Sequence, residues 1–427
     1  MDQRGQYVNR IVYRKHRLKT TDDARDAQCE RASMRVIVWQ WGRFGAGPRL
    51  AVSLAEGFRA LGGVDSVLSL STGAEVMHGP DGASCQLPVE TYTGVAGLAW
   101  RLIQAPITIM KLSKRLRRLD PQLAVCAMPG PLDLLMILAL HRFGIPAAVI
   151  VHDAEAHPGD RIPLLQMSQR ALLRRADLVI LLSMHVAERL RANGSLRPAT
   201  PVIVASLPPL SFGAVAPLAA RAGPRRLLCF GRLRAYKGLD LLAAALRSLG
   251  PLADLEVRVV GNGPESTALA ALRILPGVKV ENRWVPESEV NTLLNWADVV
   301  VLPYREASQS GIAPTALASG RRVIATRVGG LPEQLGDSPL ATLCEPEAAS
   351  LAAAIKRVME MPRDVGGATA DPRQAWRKFA AIILDGLASL VPGLAAPMRQ
   401  IGLPPASVMV GVDAGRSDDR IGGDVAE

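Results

Sequence analysis

Aromatic residues are scarce in this chain, with six Trp, five Tyr and six Phe among 427 residues. So few rings argue against a stacking platform for single-stranded nucleic acid, and nucleic acid is not an expected partner. Cysteine is sparse as well. Cys29, Cys85, Cys126, Cys229 and Cys344 are odd in number, widely spaced and never in a Cys-x-x-Cys arrangement. That pattern argues against a disulfide framework and a zinc site, and fits a reducing compartment. No run of about eighteen apolar residues occurs. The most hydrophobic zone, 132–151, is interrupted by Asp133, His141, Arg142 and Pro146, so it reads as a helix followed by a strand. The first residues are charged and lack the apolar centre of a secretory signal, so a cytoplasmic protein is expected. An Asp-x-Asp triplet is also missing.

What is present is a long, Ala-, Leu- and Arg-rich chain that is 49% hydrophobic, with a formal charge of +11. Its length suggests two or three domains. The positive balance is compatible with an anionic membrane, an acidic substrate or nucleic acid, and selects none of them. Residues 1–33 are charged and aperiodic and are expected to form a disordered tail. From Met34 onward, apolar strand-like runs alternate with helical patterns, which argues for α/β architecture with a doubly wound parallel sheet. The alternation fills 34–210, breaks over a Pro/Gly-rich stretch at 207–223, and restarts over 224–365. A last helical pattern at 372–390 carries Trp376 as a packing anchor. Residues 391–427 are Pro/Gly-rich, then charged, and are expected to be a second disordered tail.

The chemistry concentrates where strands end. The run 297–303 reads as a buried strand, and it delivers the chain to Glu306-Ala-Ser-Gln-Ser-Gly311 and a helix expected at 310–319. A loop that opens a helix offers free backbone N–H groups and the positive dipole end, which suits phosphates and sugar hydroxyls. In an open α/β sheet, ligands sit beyond the carboxyl ends of strands. Another such place is Gly231-Arg-Leu-Arg-Ala-Tyr-Lys237-Gly238, which brings two cations. Gly261-Asn262-Gly263-Pro-Glu265 follows the next strand, and its glycines permit close backbone approach. In the first half, Trp41-Gly-Arg-Phe-Gly45-Ala-Gly47-Pro48 joins strand to helix, and Val151-His152-Asp153 stands at a strand end facing the expected cleft. Read alone, each is also compatible with an ordinary βα turn or a satisfied structural residue.

Taken together, these segments resemble the group 1 glycosyltransferases (glycosyltransferase family 4). The donor motif of that family is Glu, seven residues, Glu, then Ala-x-Ala-x-Gly-x-Pro-Val-Ile-Ala-Thr and Gly-Gly-x-x-Glu. Here the two Glu positions fall on Ala307 and Thr315, and Glu306 lies one residue before the first. The Ser308-Gln309-Ser310-Gly311 form is similar to a divergent branch. The resemblance covers about 34–390 and implies the GT-B fold, two Rossmann-like domains facing a cleft. It implies that Arg232, Lys237, Glu306 and His152 serve catalysis. Gly231, Gly261, Asn262, Gly263, Trp284, Ser308, Gln309, Ser310, Gly311 and Thr315 would bind the donor, and Gly45, Gly47 and Asp153 would lie on the acceptor side. The substrate is then a nucleoside diphosphate sugar, with no cofactor and no metal. Metal-dependent GT-A enzymes use an Asp-x-Asp triplet that this chain lacks. The same resemblance implies retention of anomeric configuration and a role in polysaccharide biosynthesis.

One helix looks outward. Lys111, Lys114, Arg115 and Arg118 follow i, i+3, i+4, i+7 spacing beside a Leu112–Leu116–Leu119 stripe. This arrangement suits either a solvated face or an anionic membrane surface on the inner side of the cytoplasmic membrane. With the habit of the family, it suggests a lipid-linked or growing polysaccharide acceptor. Two rivals stay open: a phosphorylase or epimerase on the same fold, and a catalytically weak subunit that binds nucleotide sugar or membrane. The second draws on the missing carboxylates at 307 and 315.

Overall fold

The computed structural model describes residues 34–78, 82–155, 163–213, 222–250, 254–336, 338–363 and 370–390. The two tails expected at 1–33 and 391–427 lie outside the described residues. The first half runs β1 (Met34–Gln40), α1 (Ala46–Arg59), β2 (Val64–Leu70), α2 (Gly94–Ile103), α3 (Ala105–Leu119), β3 (Leu123–Cys126), α4 (Asp133–His141), β4 (Ala147–Val151), α5 (Pro163–Leu173), β5 (Leu178–Leu181), α6 (Met184–Ala192) and β6 (Val202–Val204). The second runs β7 (Arg225–Phe230), α7 (Leu239–Leu249), β8 (Leu255–Gly261), α8 (Thr267–Arg273), β9 (Val278–Asn282), α9 (Glu287–Trp296), β10 (Val299–Leu302), α10 (Ile312–Ala318), β11 (Arg322–Thr326), α11 (Leu331–Leu335), β12 (Ala341–Cys344) and α12 (Ala348–Glu360). Helix α13 (Pro372–Leu390) follows.

Each half is a six-stranded parallel sheet, ordered β2-β1-β3-β4-β5-β6 and β12-β11-β10-β7-β8-β9. Strand alternation divides the first core into two. Val36 and Val38 face α1 and α13, while Ile37 and Trp39 face the opposite layer with α3 and α4. A strand buried on both faces needs apolar residues at nearly every position, which is why β1 and β4 read as unbroken hydrophobic runs. Strand order reverses beside β1 in one sheet and beside β7 in the other. The crevices beyond these strands' carboxyl ends are where the Gly45 loop and the Arg232 loop emerge.

Three local details differ from the sequence reading. The apolar and basic pattern over 98–119 would read as one helix from sequence, but it forms two, α2 and α3, divided at Gln104; Pro106 sits in the first turn of α3, where its missing N–H costs nothing. Helix α10 begins at Ile312, because Gln334 holds the Ser310 backbone outside it, accepting from its N–H at 2.9 Å and donating to its carbonyl at 3.0 Å. The sheet also gains β12, a four-residue edge strand whose half-exposed pattern gives little hydrophobic signal.

Helix α13 crosses back to the first half. Trp376, Phe379, Ile383 and Leu387 enter the core on the α1 side. The Trp376 indole N–H donates to the Pro209 carbonyl at 2.8 Å. Gly57 on α1 lets the two helices touch, since a Cβ there would stand 2.5 Å from the Trp376 carbonyl oxygen. Trp376→Ala should therefore lower stability by about 3–5 kcal/mol, the range for emptying a buried aromatic site. Urea unfolding monitored by circular dichroism checks this; a loss under about 0.5 kcal/mol, typical of surface changes, would show that the helix is only loosely held.

Candidate active site

Bare backbone brings the loops together. Gly261 lies against the Gly231 carbonyl, where a Cβ would stand 1.7 Å from the oxygen. Gly238 lies against the Pro303 carbonyl, and Gly263 against that of Leu233, with hypothetical Cβ distances of 1.7 and 2.0 Å. Gly238 and Gly261 also have φ of 66° and 154°, which side chains disfavour. The β7, β8 and β10 loops are thus stacked main chain on main chain. The Leu233 N–H to Asn262 carbonyl bond, 2.9 Å, fastens the first two. Arg305 N–H to the Tyr236 carbonyl, 2.8 Å, fastens the third.

This stack holds the two cations at the end of β7. The Lys237 ammonium sits 3.6 Å from the Tyr304 ring centroid and 5.2 Å from that of Tyr236. Arg232 is exposed, its guanidinium 5.7 Å over Tyr236. Two of only five tyrosines in the chain are used here. Among the described residues, no carboxylate forms a salt bridge with Lys237. Burial pushes its pKa down to about 8; Tyr236 opposes that shift, Arg232 adds to it, and Asp153 also opposes it. Asp153 belongs to the first half, so its charge is felt across the cleft. The ammonium is thus desolvated, aromatic-backed and without a salt bridge, which suits it to an incoming anion.

On the opposite wall, His152 is buried directly after β4. Its Nε2 lies 3.0 Å from the Ala127 carbonyl, so Nε2 carries a proton and donates. Its Nδ1 lies 2.7 Å from Nε2 of Gln309, whose amide donates to it from the second half. Burial lowers the imidazole pKa, with Asp153 opposing, and so favours the neutral ring that these bonds require. Gln309 was expected at the donor; its amide instead spans the cleft to His152. A sugar hydroxyl reaching Nδ1 must displace it.

Helix α6 makes the second bridge. The Glu333 carboxylate accepts from the N–H groups of Met184 and His185, at 2.6 and 3.0 Å, and so caps the first turn of a helix in the other half. Ser183, the N-cap of α6, also donates to the Ser308 carbonyl at 3.3 Å. Gly330 fits between them, as a Cβ there would stand 2.2 Å from the Ser308 carbonyl oxygen. Farther along α6, Arg189 joins Glu306 at 3.3 Å and Glu155 at 3.2 Å. Glu306 is therefore not a solvated companion of Arg305, which pairs with Asp240.

The remaining expected residues fall as follows. Ser308 and Ser310 are buried, and the Ser310 hydroxyl lies 3.5 Å from that of Tyr304. The Thr315 hydroxyl accepts from Leu210 N–H at 3.0 Å and donates to the Gly311 carbonyl at 3.3 Å, so it serves the connection between halves. Gly311 precedes α10 at the cleft. Asn262 is exposed and meets the first loop through its carbonyl. Trp284 is half-exposed and packs edge-on against Phe44, 5.8 Å between centroids, so the Gly45 loop and the β9 loop touch. Arg49 and Glu287 form an ion pair nearby. Gly45 has a φ of 82° and open space about it, whereas Gly47 lies beneath the Gln40 side chain. No cluster of three or more His, Cys, Asp or Glu side chains suited to a metal occurs among the described residues. Arg189, Ser183 and Gln334 escaped the sequence reading, because no local pattern marks a residue whose partner lies more than a hundred positions away or in a neighbouring loop. The paired tyrosines beside Lys237 were a usable signal in so aromatic-poor a chain.

Comparison with known proteins bears on this arrangement. The profile for "Glycosyl transferases group 1" matches residues 224–361, and that for "Glycosyl transferase 4-like domain" matches 44–208. Together they span most of both halves, and the chain belongs to the group 1 glycosyltransferases with the GT-B fold. Among curated relatives, a D-inositol 3-phosphate glycosyltransferase from Arthrobacter sp. is 34% identical over 40% of this chain, and the match spans only 44% of that relative. A 2-deoxystreptamine glucosyltransferase from Streptomyces kanamyceticus is 28% identical over 64% of this chain and 76% of its own length. Among solved structures, Anabaena HepE in complex with UDP and glucose superposes with a TM-score of 0.59 at 14% identity, over 86% of this chain and all of that one.

Two outcomes follow from the protonation states. Lys237 carries its charge below about pH 8 and loses it above. If that charge holds the donor, kcat/KM for donor should fall as pH rises through about 8, since this ratio reports the free protein. Lys237→Arg should move that limb upward, because a guanidinium stays protonated; a wild-type profile flat to pH 10 would contradict the assignment. Gln309→Glu should place a carboxylate beside Nδ1 and raise the His152 pKa by about one to three units. Nitrogen-15 NMR of the imidazole reads this directly, and an unmoved titration would show that the two side chains do not meet in solution.

Proposed function

We propose that this protein transfers a sugar from a nucleoside diphosphate sugar to an acceptor hydroxyl. The observation that carries the reading is the Lys237 ammonium, desolvated on two tyrosine rings beside Arg232 and facing His152–Asp153 across the cleft. Breaking a sugar–phosphate bond builds negative charge on the departing diphosphate. Fixed cations already in place stabilise that charge without reorganising during the step. The stacked loops at Gly231, Gly261 and Gly263 leave main chain, not side chains, to approach the nucleotide. Asp153 is suited to the acceptor hydroxyl, which loses its proton as the new bond forms.

We assign the leaving-group role to these cations and not to a divalent metal or cofactor; the missing Asp-x-Asp triplet supports this. Retention of anomeric configuration rests on the family resemblance. The acceptor we favour is a lipid-linked or growing polysaccharide, met at the cytoplasmic face of a membrane, and the exposed basic helix α3 supports it. A small polar acceptor is the second reading, since two relatives are named for D-inositol 3-phosphate and 2-deoxystreptamine.

The test is a donor screen by thermal shift, followed by turnover of the stabilising donor. Lys237→Ala and Arg232→Ala should each lower kcat by about two to three orders of magnitude, the cost of one transition-state charge stabiliser. Turnover should persist in excess EDTA after dialysis. Near-normal rates in both variants, or complete loss on chelation that manganese restores, would defeat the cation-only mechanism.

A further inference from the structure

Helices α2 and α3 form a surface that the transferase chemistry does not use. They lie in the long crossover from β2 to β3. Every residue of α2 is at least partly exposed, although the helix is mostly apolar. Val95 is 85% exposed, Trp100 57% and Ile103 71%. On α3, Leu112 and Leu116 are buried in the core on the α4 side. Its outward residues at i, i+3, i+4, i+7 and i+11 are Ile107, Met110, Lys111, Lys114 and Arg118, all exposed. One continuous face thus begins apolar, at the end joined to α2, and finishes cationic.

Charge separates this face from an ordinary solvated one. Between Thr91 and Leu119 the chain has no Asp or Glu, and α3 carries five cations. Among the described residues, none of the five pairs with a carboxylate; Arg115 donates instead to the Pro88 carbonyl at 3.0 Å. A solvated helix usually interleaves both signs. Exposed large apolar residues bordered by unpaired cations are complementary to a surface that is negative outside and hydrocarbon within. A second copy of this face would set like charges against each other.

We propose that the α2–α3 face docks on an anionic lipid bilayer, with Val95, Trp100, Ile103, Ile107 and Met110 entering the headgroup–acyl boundary and Lys111, Lys114, Arg115 and Arg118 meeting lipid phosphates. Indole favours this boundary, where one end is apolar and the other wet. Each cation near such a surface strengthens binding about fivefold, and apolar burial adds to it. For its purpose the proposal rests on the transferase reading with a membrane-presented acceptor; for its geometry it does not.

The experiment is sedimentation of the full chain with vesicles of phosphatidylcholine alone, and of phosphatidylcholine with about 30 mol% phosphatidylglycerol, at low and raised salt. Binding is expected to the anionic vesicles only, weakening with salt. Lys111→Ser/Lys114→Ser/Arg118→Ser should weaken it about a hundredfold. Trp100→Ser/Ile103→Ser should weaken it at least tenfold, and both variants should keep the wild-type melting temperature, because these residues are exposed. Lipid-borne bromine should quench tryptophan emission in the wild type and lose most of that effect in Trp100→Phe. No sedimentation by the folded chain, equal binding to neutral vesicles, or self-association abolished by Trp100→Ser/Ile103→Ser would each overturn the proposal. Donor hydrolysis without lipid separates the two readings. Turnover without vesicle binding defeats the docking face alone, and vesicle binding without turnover defeats the transferase reading alone.

Discussion

Close packing of side-chain-free backbone is the constraint on which the site depends. Four contacts, Gly238 on Pro303, Gly261 on Gly231, Gly263 on Leu233 and Gly329 on Ala307, pin the loops that follow β7, β8, β10 and β11. A methyl group at any of them would require main chain to move, since the hypothetical Cβ distances are 2.0 Å or less. Main chain cannot yield as a flexible side chain does, so the loops hold a fixed relative placement. That placement sets the Tyr236 and Tyr304 rings against the Lys237 ammonium and brings it within the field of Asp153. The cation's position is therefore a consequence of glycine geometry in its own loop and in the neighbouring ones.

The second organising feature is that each half completes the other. Glu333 caps α6 from across the cleft, Gln309 fixes the His152 ring, and Arg189 balances Glu306. All three are polar or ionic links across the cleft, and the Phe44–Trp284 ring contact adds an aromatic one between the same halves. Interfaces between domains in one chain are commonly of this polar kind, and such links exchange readily for contacts with a ligand. Helix α13 supplies the opposite sort of connection, an apolar one, by burying Trp376 and Phe379 in the first core. The halves are thus joined by polar contacts across the cleft and by an apolar helix held in the first core, a combination that hinge closure around a substrate can use.

Most of the architecture was legible in the sequence because the strands are buried on both faces. A parallel sheet covered by helices turns each strand into an unbroken apolar run, and β1, β4, β7 and β10 declare themselves that way. The edge strand β12 did not, since half its positions meet solvent. The glycine-marked loops were legible for a related reason, as only glycine serves where backbone meets backbone. The partners of individual side chains were not. Gln309 was read as a donor ligand from its motif, and its bond to His152 crosses 157 residues of sequence. Thr315 was read the same way, and its hydroxyl serves Leu210. Motif position fixes where a backbone goes; what a side chain reaches depends on the opposing domain, which no local spacing encodes.

The displaced carboxylate is the clearest instance. The family motif places acids at 307 and 315, and here both positions face inward. Ala307 is packed in the second core, with its carbonyl accepting from Gly330 at 3.2 Å, and Thr315 is buried against the connection between halves. An ionised side chain at either place would need a compensating partner to stay charged. Glu306, one residue earlier, escapes this because its side chain leaves the core and meets Arg189. Its charge is consequently balanced by the opposite domain and not by the fold that carries it. A carboxylate so held comes free for another partner only as Arg189 moves. Glu306 is thereby coupled to the relative position of the two halves, whereas an acid fixed within one domain would be indifferent to it.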